Sequence, residues 1–286
     1  MKGNRPVMVM AGAAAACSLL FLLLPYLAGP PEARFVTGQY DSAPRMDDGR
    51  INVTELLRFV RLGGGNTFNM LIRMPDEDFA ALEQFLPLAD ATGVDVWVTL
   101  LPPSELSQEQ RDDIRYTDYI GLVRRIAALS AAHPNLVAWS IDNVLIDKAF
   151  FTPPYLERLT TEAKKTSPGL RLIPVVYYND IASPYFSTYS AFFDGVQFYY
   201  TNFPAGQPDE ADVLLPQLAV LGAKFGKPVI LGVYATPMVP DRPTTAAYVS
   251  QLINLARQHT AGVMVYTLQR DGEKLDAVRE AFGGGS

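Results

Sequence analysis

One rhythm governs the chain from residue 34 onward: a short β-rich run, then a run with helical spacing of apolar residues, eight times over. The strand candidates are Arg34–Asp41, Asn66–Arg73, Val94–Leu101, Asn135–Asp142, Leu170–Tyr178, Gly195–Tyr200, Pro228–Tyr234 and Gly262–Leu268. Val, Ile, Tyr, Phe and Trp dominate them, the composition of strands buried on both faces. Apolar residues at i, i+3 and i+4 mark helices over Val53–Leu62, Asp76–Thr92, Tyr116–Ala132, Pro153–Thr166, Ala211–Phe225, Thr245–Gln258 and Gly272–Phe282. The unit after the fifth strand, Ser183–Phe193, is short and weakly helical. Strict alternation calls for a parallel sheet, and eight units call for a (β/α)8 TIM barrel spanning 34–282. The early strand-to-helix turns carry no G-x-G-x-x-G pattern, which argues against a dinucleotide fold.

Ahead of the barrel, Lys2 and Arg5 precede an apolar run from Val7 to Ala28. That is the pattern of a signal peptide or membrane anchor, with residues 1–33 forming anchor and linker. The expected location is exported: periplasmic, extracellular, or membrane-anchored facing outward. Residues 283–286 read as a flexible tail. The net charge of -6 and the lack of a Lys/Arg block exclude a nucleic-acid partner. The single cysteine, Cys17, lies in the apolar segment, so the barrel has neither a thiol nucleophile nor a thiolate metal site. The two histidines, His133 and His259, have no metal-ligand spacing, and neither a metal nor a cofactor is expected.

Barrel chemistry sits at the C-terminal ends of the strands. Side chains alternate along a strand, so in Asn135–Asp142 the bulky Val137, Trp139 and Ile141 face the helices. Ala138, Ser140 and Asp142 then face inward, with Asp142 uppermost. The other strand ends supply candidate ligand contacts: Asp41, Asn69, Arg73, Trp97, Asn143, Tyr178, Gln197, Tyr199, Tyr234, Tyr266 and Gln269. Aromatic faces among amides and carboxylates suit a sugar, which offers C–H faces for stacking and hydroxyls for hydrogen bonds.

Three stretches resemble a chitinase-type glycoside-hydrolase barrel at superfamily level. Ala138–Val144 stands where those enzymes carry their acidic strand-four motif. Gly195-Val196-Gln197-Phe198-Tyr199-Tyr200 is similar to their strand-six segment, whose inward tyrosine helps position the sugar. Gly262-Val263-Met264-Val265-Tyr266 is similar to their final strand, with Tyr266 in place of a Trp. The strand-four pattern departs from the family. Its alternating positions are Ala138, Ser140, Asp142 and Val144, one carboxylate with no terminal glutamate, and Tyr200 replaces an aspartate. An active chitinase is therefore not expected.

Glycoside hydrolysis ordinarily needs two carboxyl groups. The expected pair is Asp142 as general acid and Asp180 as base or orienting carboxylate, with Asp41, Glu105 and Asp271 as other partners. Plainer roles stay open. Asn179-Asp180 is also a turn signal that caps the next segment, and Asp142 can cap a loop through Asn143 or pair with Arg73. Three functions follow: an exported hydrolase of a poly- or oligosaccharide, a non-catalytic carbohydrate-binding barrel, or a membrane-tethered interaction domain of an envelope polysaccharide system.

Overall fold

The computed structural model describes residues 34–200, 210–236, 244–268 and 272–283. The apolar N-terminal segment, Gln269, Asp271 and the last three residues of the tail lie outside them. Nine parallel strands form one curled, TIM-barrel-like sheet: β1 Val36–Asp41, β2 Thr67–Ile72, β3 Asp95–Leu100, β4 Leu136–Ile141, β5 Arg171–Leu172, β6 Val175–Tyr177, β7 Val196–Tyr199, β8 Val229–Tyr234 and β9 Gly262–Tyr266. Their order is β5-β4-β3-β2-β1-β9-β8-β7-β6. The two ends of that order, β5 and β6, are halves of the expected fifth strand, Leu170–Tyr178.

The break falls at Ile173-Pro174. Proline has no N–H to give a ladder and is confined to irregular positions in a sheet. Around it the chain still bonds both ways. The Ile173 N–H donates to the Trp139 carbonyl at 2.9 Å, and the Gln197 N–H donates to the Pro174 carbonyl at 2.9 Å.

Helices cover the outside, as the spacing predicts. Val53–Gly63 begins at Asn52, whose side chain accepts from the Glu55 N–H, and ends at Gly64 with φ 68°. That left-handed conformation suits glycine, and it turns the chain into β2. Pro75–Asp90 packs Phe85 edge-on against Phe68 of β2, ring centroids 5.8 Å apart. Its start is pinned by Asp78, which takes the N–H groups of Arg73 and Met74 and an ion pair from Arg45 at 2.8 Å. The polar stretch Ser107–Arg115 holds the short helix Gln108–Asp112 and the start of another, Ile114–Thr117. The weakly helical unit Ser183–Phe193 holds one short helix, Phe186–Ser190, and a second, Tyr178–Ala182, precedes it and begins at the residue expected to end the fifth strand.

The inward phase of the strands forms its own core. Tyr40, Leu71, Trp97, Ala138, Ile173, Val175, Tyr199, Ile230 and Met264 pack together inside the sheet. Gly232 belongs to the same phase, and a side chain there would fall inside the Tyr199 ring. The glycine lets that ring lie across β8.

Candidate functional site

Two layers fill the interior. In the lower one, the Thr99 hydroxyl donates to Asn69 Oδ1 at 2.8 Å, and Asn69 Nδ2 donates to Gln197 Oε1 at 3.1 Å. Gln197 Nε2 then reaches Ser140 Oγ at 3.2 Å and the Ile173 carbonyl at 3.1 Å. All four side chains are fully buried. A buried amide must find partners inside the protein, and these find one another.

The upper layer is different. A cavity of about 160 Å³ opens there, lined by Tyr40, Glu105, Asp142, Tyr177, Tyr199, Tyr234 and Tyr266. The tyrosines come from neighbouring strands β6, β7, β8, β9 and β1, in sheet order. Their rings touch in sequence, with centroids 6.3 Å apart for Tyr177–Tyr199, 5.1 Å for Tyr199–Tyr234, 5.6 Å for Tyr234–Tyr266 and 4.9 Å for Tyr266–Tyr40. The two acids come from the remaining arc: Asp142 just beyond β4, and Glu105 from the 3-10 turn Pro103–Glu105 after β3.

Asp142 is 8% exposed. Tyr40 donates its hydroxyl to Asp142 Oδ2 at 2.7 Å, and Tyr177 donates to Oδ1 at 3.3 Å. Burial pushes the Asp142 carboxyl above the usual aspartate range, while both phenols and the Asn143 backbone N–H pull it back toward ionisation. Glu105 lies on the exposed rim with its carboxyl at the cavity. Loss of water there, then the charges of Asp142 and Asp147, push it up to about 7, against a smaller opposing pull from Arg73. The same burial, with Asp142 alongside, raises the Tyr40 and Tyr177 hydroxyls far above neutrality, so both remain donors.

Two residues flanking the cavity hold left-handed backbone without being glycine. Asn143, directly after Asp142, has φ 45°, and Thr267, directly after Tyr266, has φ 58°. For a β-branched residue this is a costly conformation, and such strain concentrates at functional sites. The Thr267 N–H donates to the Tyr40 carbonyl at 3.1 Å, which ties the end of β9 to β1.

Of the residues expected at the mouth, Asp142, Tyr199, Tyr234 and Tyr266 meet on this cavity. Asn69 and Gln197 lie in the layer below, engaged with each other. Trp97, 1% exposed, belongs to the packed interior. Asp41 follows inward Tyr40 and so takes the opposite phase, its Oδ1 accepting the Ser42 N–H at 2.7 Å. Arg73 is exposed, and the partners of Asp142 are tyrosines rather than this arginine. Tyr178 turns away to meet Tyr200 edge-on at 5.2 Å. Asp180 accepts the Tyr177 N–H at 2.7 Å, the capping contact of the short helix Tyr178–Ala182. With Asn143 it lines a second, adjoining cavity of about 470 Å³. Tyr40 and Tyr177, at the ends of the first and fifth expected strands, join Asp142, Tyr199, Tyr234 and Tyr266 on the first cavity. Their signal was the alternation of Gly38 with Tyr40 and of Val175 with Tyr177.

No protein-family model matches the chain, and no curated protein does either. Solved structures do match in fold. An endo-β-1,4-mannanase from Thermotoga petrophila superposes with TM-score 0.62 at 12% identity over 88% of this chain and 77% of that one. A GH113 β-1,4-mannanase gives 0.59 at 11% identity, over 88% of this chain and all of that one. A β-glucuronidase from an uncultured Clostridium sp. gives 0.59 at 16% identity, and there the chain spans only 51% of its neighbour's length. The likeness is one of fold, shared with these glycoside-hydrolase structures. The chitinase type within that class is not specified by these neighbours.

Proposed function

We propose that the protein is a glycoside hydrolase-like barrel acting on a poly- or oligosaccharide, with Glu105 and Asp142 as its pair of carboxyl groups. The observation that carries this reading is their convergence in one cavity otherwise walled by five tyrosines. Glycoside hydrolysis needs one carboxyl group protonated to donate to the leaving oxygen and one ionised on the other side of the bond. Glu105, pushed up to about 7, is suited to hold the proton at neutral pH. Asp142 is assigned the ionised role: burial raises its carboxyl, but two phenol hydroxyls and a backbone N–H oppose that rise by stabilising its charge. In this reading the general-acid role first expected of Asp142 passes to Glu105. Asp180, which caps the helix after β6 by accepting the Tyr177 N–H and lines the adjoining cavity, is in this reading not one of the pair. The neighbours' names as mannanases and glucuronidase support a glycan substrate.

The strand pattern supports a complete (β/α)8 barrel in which β5 and β6 act as one interrupted strand. The basic and apolar N-terminus supports export, with either cleavage or retention as a membrane anchor. A non-catalytic carbohydrate-binding barrel is the second reading. It is favoured by the fact that both Asp142 oxygens already accept phenol hydrogen bonds.

The test is turnover of a panel of oligosaccharides by the wild type, Asp142→Asn and Glu105→Gln. Hydrolysis that both substitutions abolish supports the enzyme. Binding without turnover by the wild type selects the binding barrel. Neither binding nor turnover removes both readings.

A further inference from the structure

We infer that the second cavity, beside the Asp142 cavity, is a separate sugar-binding subsite that takes the units of a longer oligosaccharide chain next to the one held over Asp142. The inference rests on the carbohydrate reading and adds to it a ligand length and a direction. Three observations carry it.

The first is continuity. Tyr177 lines both cavities, and consecutive residues divide between them, Asp142 facing the first and Asn143 the second. The left-handed turn at Asn143 produces this division, since it swings the chain away immediately after the carboxylate. A ligand in the second cavity therefore reaches Asp142 across the Tyr177 ring.

The second is the chemistry of the wall. The larger cavity, about 470 Å³, mixes the amides Asn143 and Asn179 with the apolar faces of Leu145 and Ile146 and the ring of Tyr185. Tyr185 is 52% exposed and Ile146 57% exposed. Exposed rings and apolar faces interleaved with amides are what the alternating C–H and hydroxyl surfaces of a pyranose chain require. The Asp142 cavity, about 160 Å³, has room for far less.

The third is rigidity. The segment after β4 lies on the surface but is fastened at several points. Asp147 Oδ2 accepts the Ser104 N–H at 2.8 Å, and the Tyr189 hydroxyl donates to the Lys148 carbonyl at 2.9 Å. Phe151, fully buried, packs edge-on against Tyr119 with centroids 4.9 Å apart. The Lys148 ammonium lies 5.4 Å from the Tyr185 ring centroid and helps to hold that ring in place. A wall fixed before the ligand arrives loses less conformational entropy on binding.

The experiment uses the full chain and defined probes: β-1,4-linked gluco-, manno- and xylo-oligosaccharides of two and six units, with binding measured by calorimetry. In at least one series the six-unit probe binds the wild type about tenfold more tightly than the two-unit probe. Tyr185→Ala, an exposed position with little bearing on folding, removes most of that difference, an effect of about five- to tenfold for one lost aromatic contact. Tyr185→Phe keeps it. Equal binding of both lengths by the wild type overturns the subsite and leaves the carbohydrate reading intact. A length preference that survives Tyr185→Ala also overturns it, since the extra units then rest elsewhere. Absence of binding by every probe at both lengths overturns the carbohydrate reading itself, and the subsite with it.

Discussion

Inside the same curled sheet, on the same inward phase of the strands, two polar layers have opposite fates. In the lower layer Thr99, Asn69, Gln197 and Ser140 are hydrogen-bonded to one another below the cavity. In the upper layer the acids are left with capacity to spare. Asp142 and Glu105 both hold protons more tightly than in water, and the buried Tyr199 hydroxyl has no partner among the described residues. A closed network of amides fixes shape. A carboxyl pair in a partly desolvated cavity instead keeps electrostatic free energy that a substrate can draw on. Burial alone does not separate the layers; unspent hydrogen-bonding capacity does.

The comparison breaks most visibly at the carboxyl groups. Asp142→Asn should lower glycan turnover by about 10²–10⁴-fold, the usual worth of a positioned acid–base group. Glu105→Gln should do the same and also abolish the alkaline limb of the pH–rate profile. With Glu105 as proton donor, activity falls as pH rises through about 7, because the acid is then ionised. Wild-type activity that is flat from pH 5 to 9 would exclude Glu105 from that role.

The lower layer predicts a change of another kind. Thr99→Val keeps the shape but leaves Asn69 Oδ1 without the donor now at 2.8 Å. A buried acceptor stripped of its partner costs about 1–3 kcal/mol. In a domain of this size that is a fall of about 2–4 °C in melting temperature per kcal/mol, measurable by calorimetry. The pH–rate profile should not move. If Thr99→Val shifted the profile while leaving stability intact, the two layers would not be separate devices.

Comparable in free energy is the link between a tyrosine and the acid it serves. Tyr40→Phe removes the 2.7 Å bond to Asp142 Oδ2 and little else. A hydrogen bond to a charged group is worth about 1.5–3 kcal/mol. The Asp142 carboxyl should therefore rise further, and turnover should fall by about tenfold or more, with the acid limb displaced upward in pH. Carbon-detected NMR of the Asp142 carboxyl reports its titration directly. An unchanged titration in Tyr40→Phe would show that burial, and not the phenol, governs the site.

For the inward strand residues the face was legible in the sequence and the height was not, while Asp41, expected at the mouth, takes the opposite face. Alternation correctly turned Ala138, Ser140 and Asp142 inward, and inward Asn69, Trp97 and Gln197 followed the same rule. Strands in a barrel are tilted and staggered, so one register row descends as it passes around. Here the row runs from Tyr40 to Asn69, Trp97 and Ala138. Yet the Tyr40 hydroxyl meets Asp142, four residues above Ala138. Asn69 and Trp97 are therefore low, whereas Tyr40, in their own row, reaches the mouth. Tyr178 failed for a local reason: the chain enters a helix directly after Tyr177, and the alternation stops there. Glu105 lies beyond the end of β3, in a loop for which no strand rule gives a position.

The last prediction concerns stability alone and has the smallest size. Glu105 titrates at about 7 in the folded protein against an ordinary value of 4.5. An acid whose folded value is raised binds its proton more tightly in the native state. Its stabilising contribution is complete below about 4.5 and is lost as pH rises through about 7. Asp142 and Asp180 are raised as well, and both act in the same direction. Glu105→Gln removes one of these titrations. The variant and the wild type should differ by a constant amount at pH 4 and below, and the variant should gain relative stability between pH 5 and 8. Because Glu105 lies on the exposed rim, solvent screens its interactions and the gain is modest. Asp142→Asn should sharpen the test. With the Asp142 charge gone, Glu105 loses one of the terms that raise it, and its remaining titration should move toward lower pH. A stability difference between Glu105→Gln and wild type that stays constant from pH 4 to 8 would mean that Glu105 titrates as an ordinary surface acid. The upper layer would then hold a single perturbed carboxyl, Asp142, and the contrast with the amide layer beneath it would rest on that residue alone.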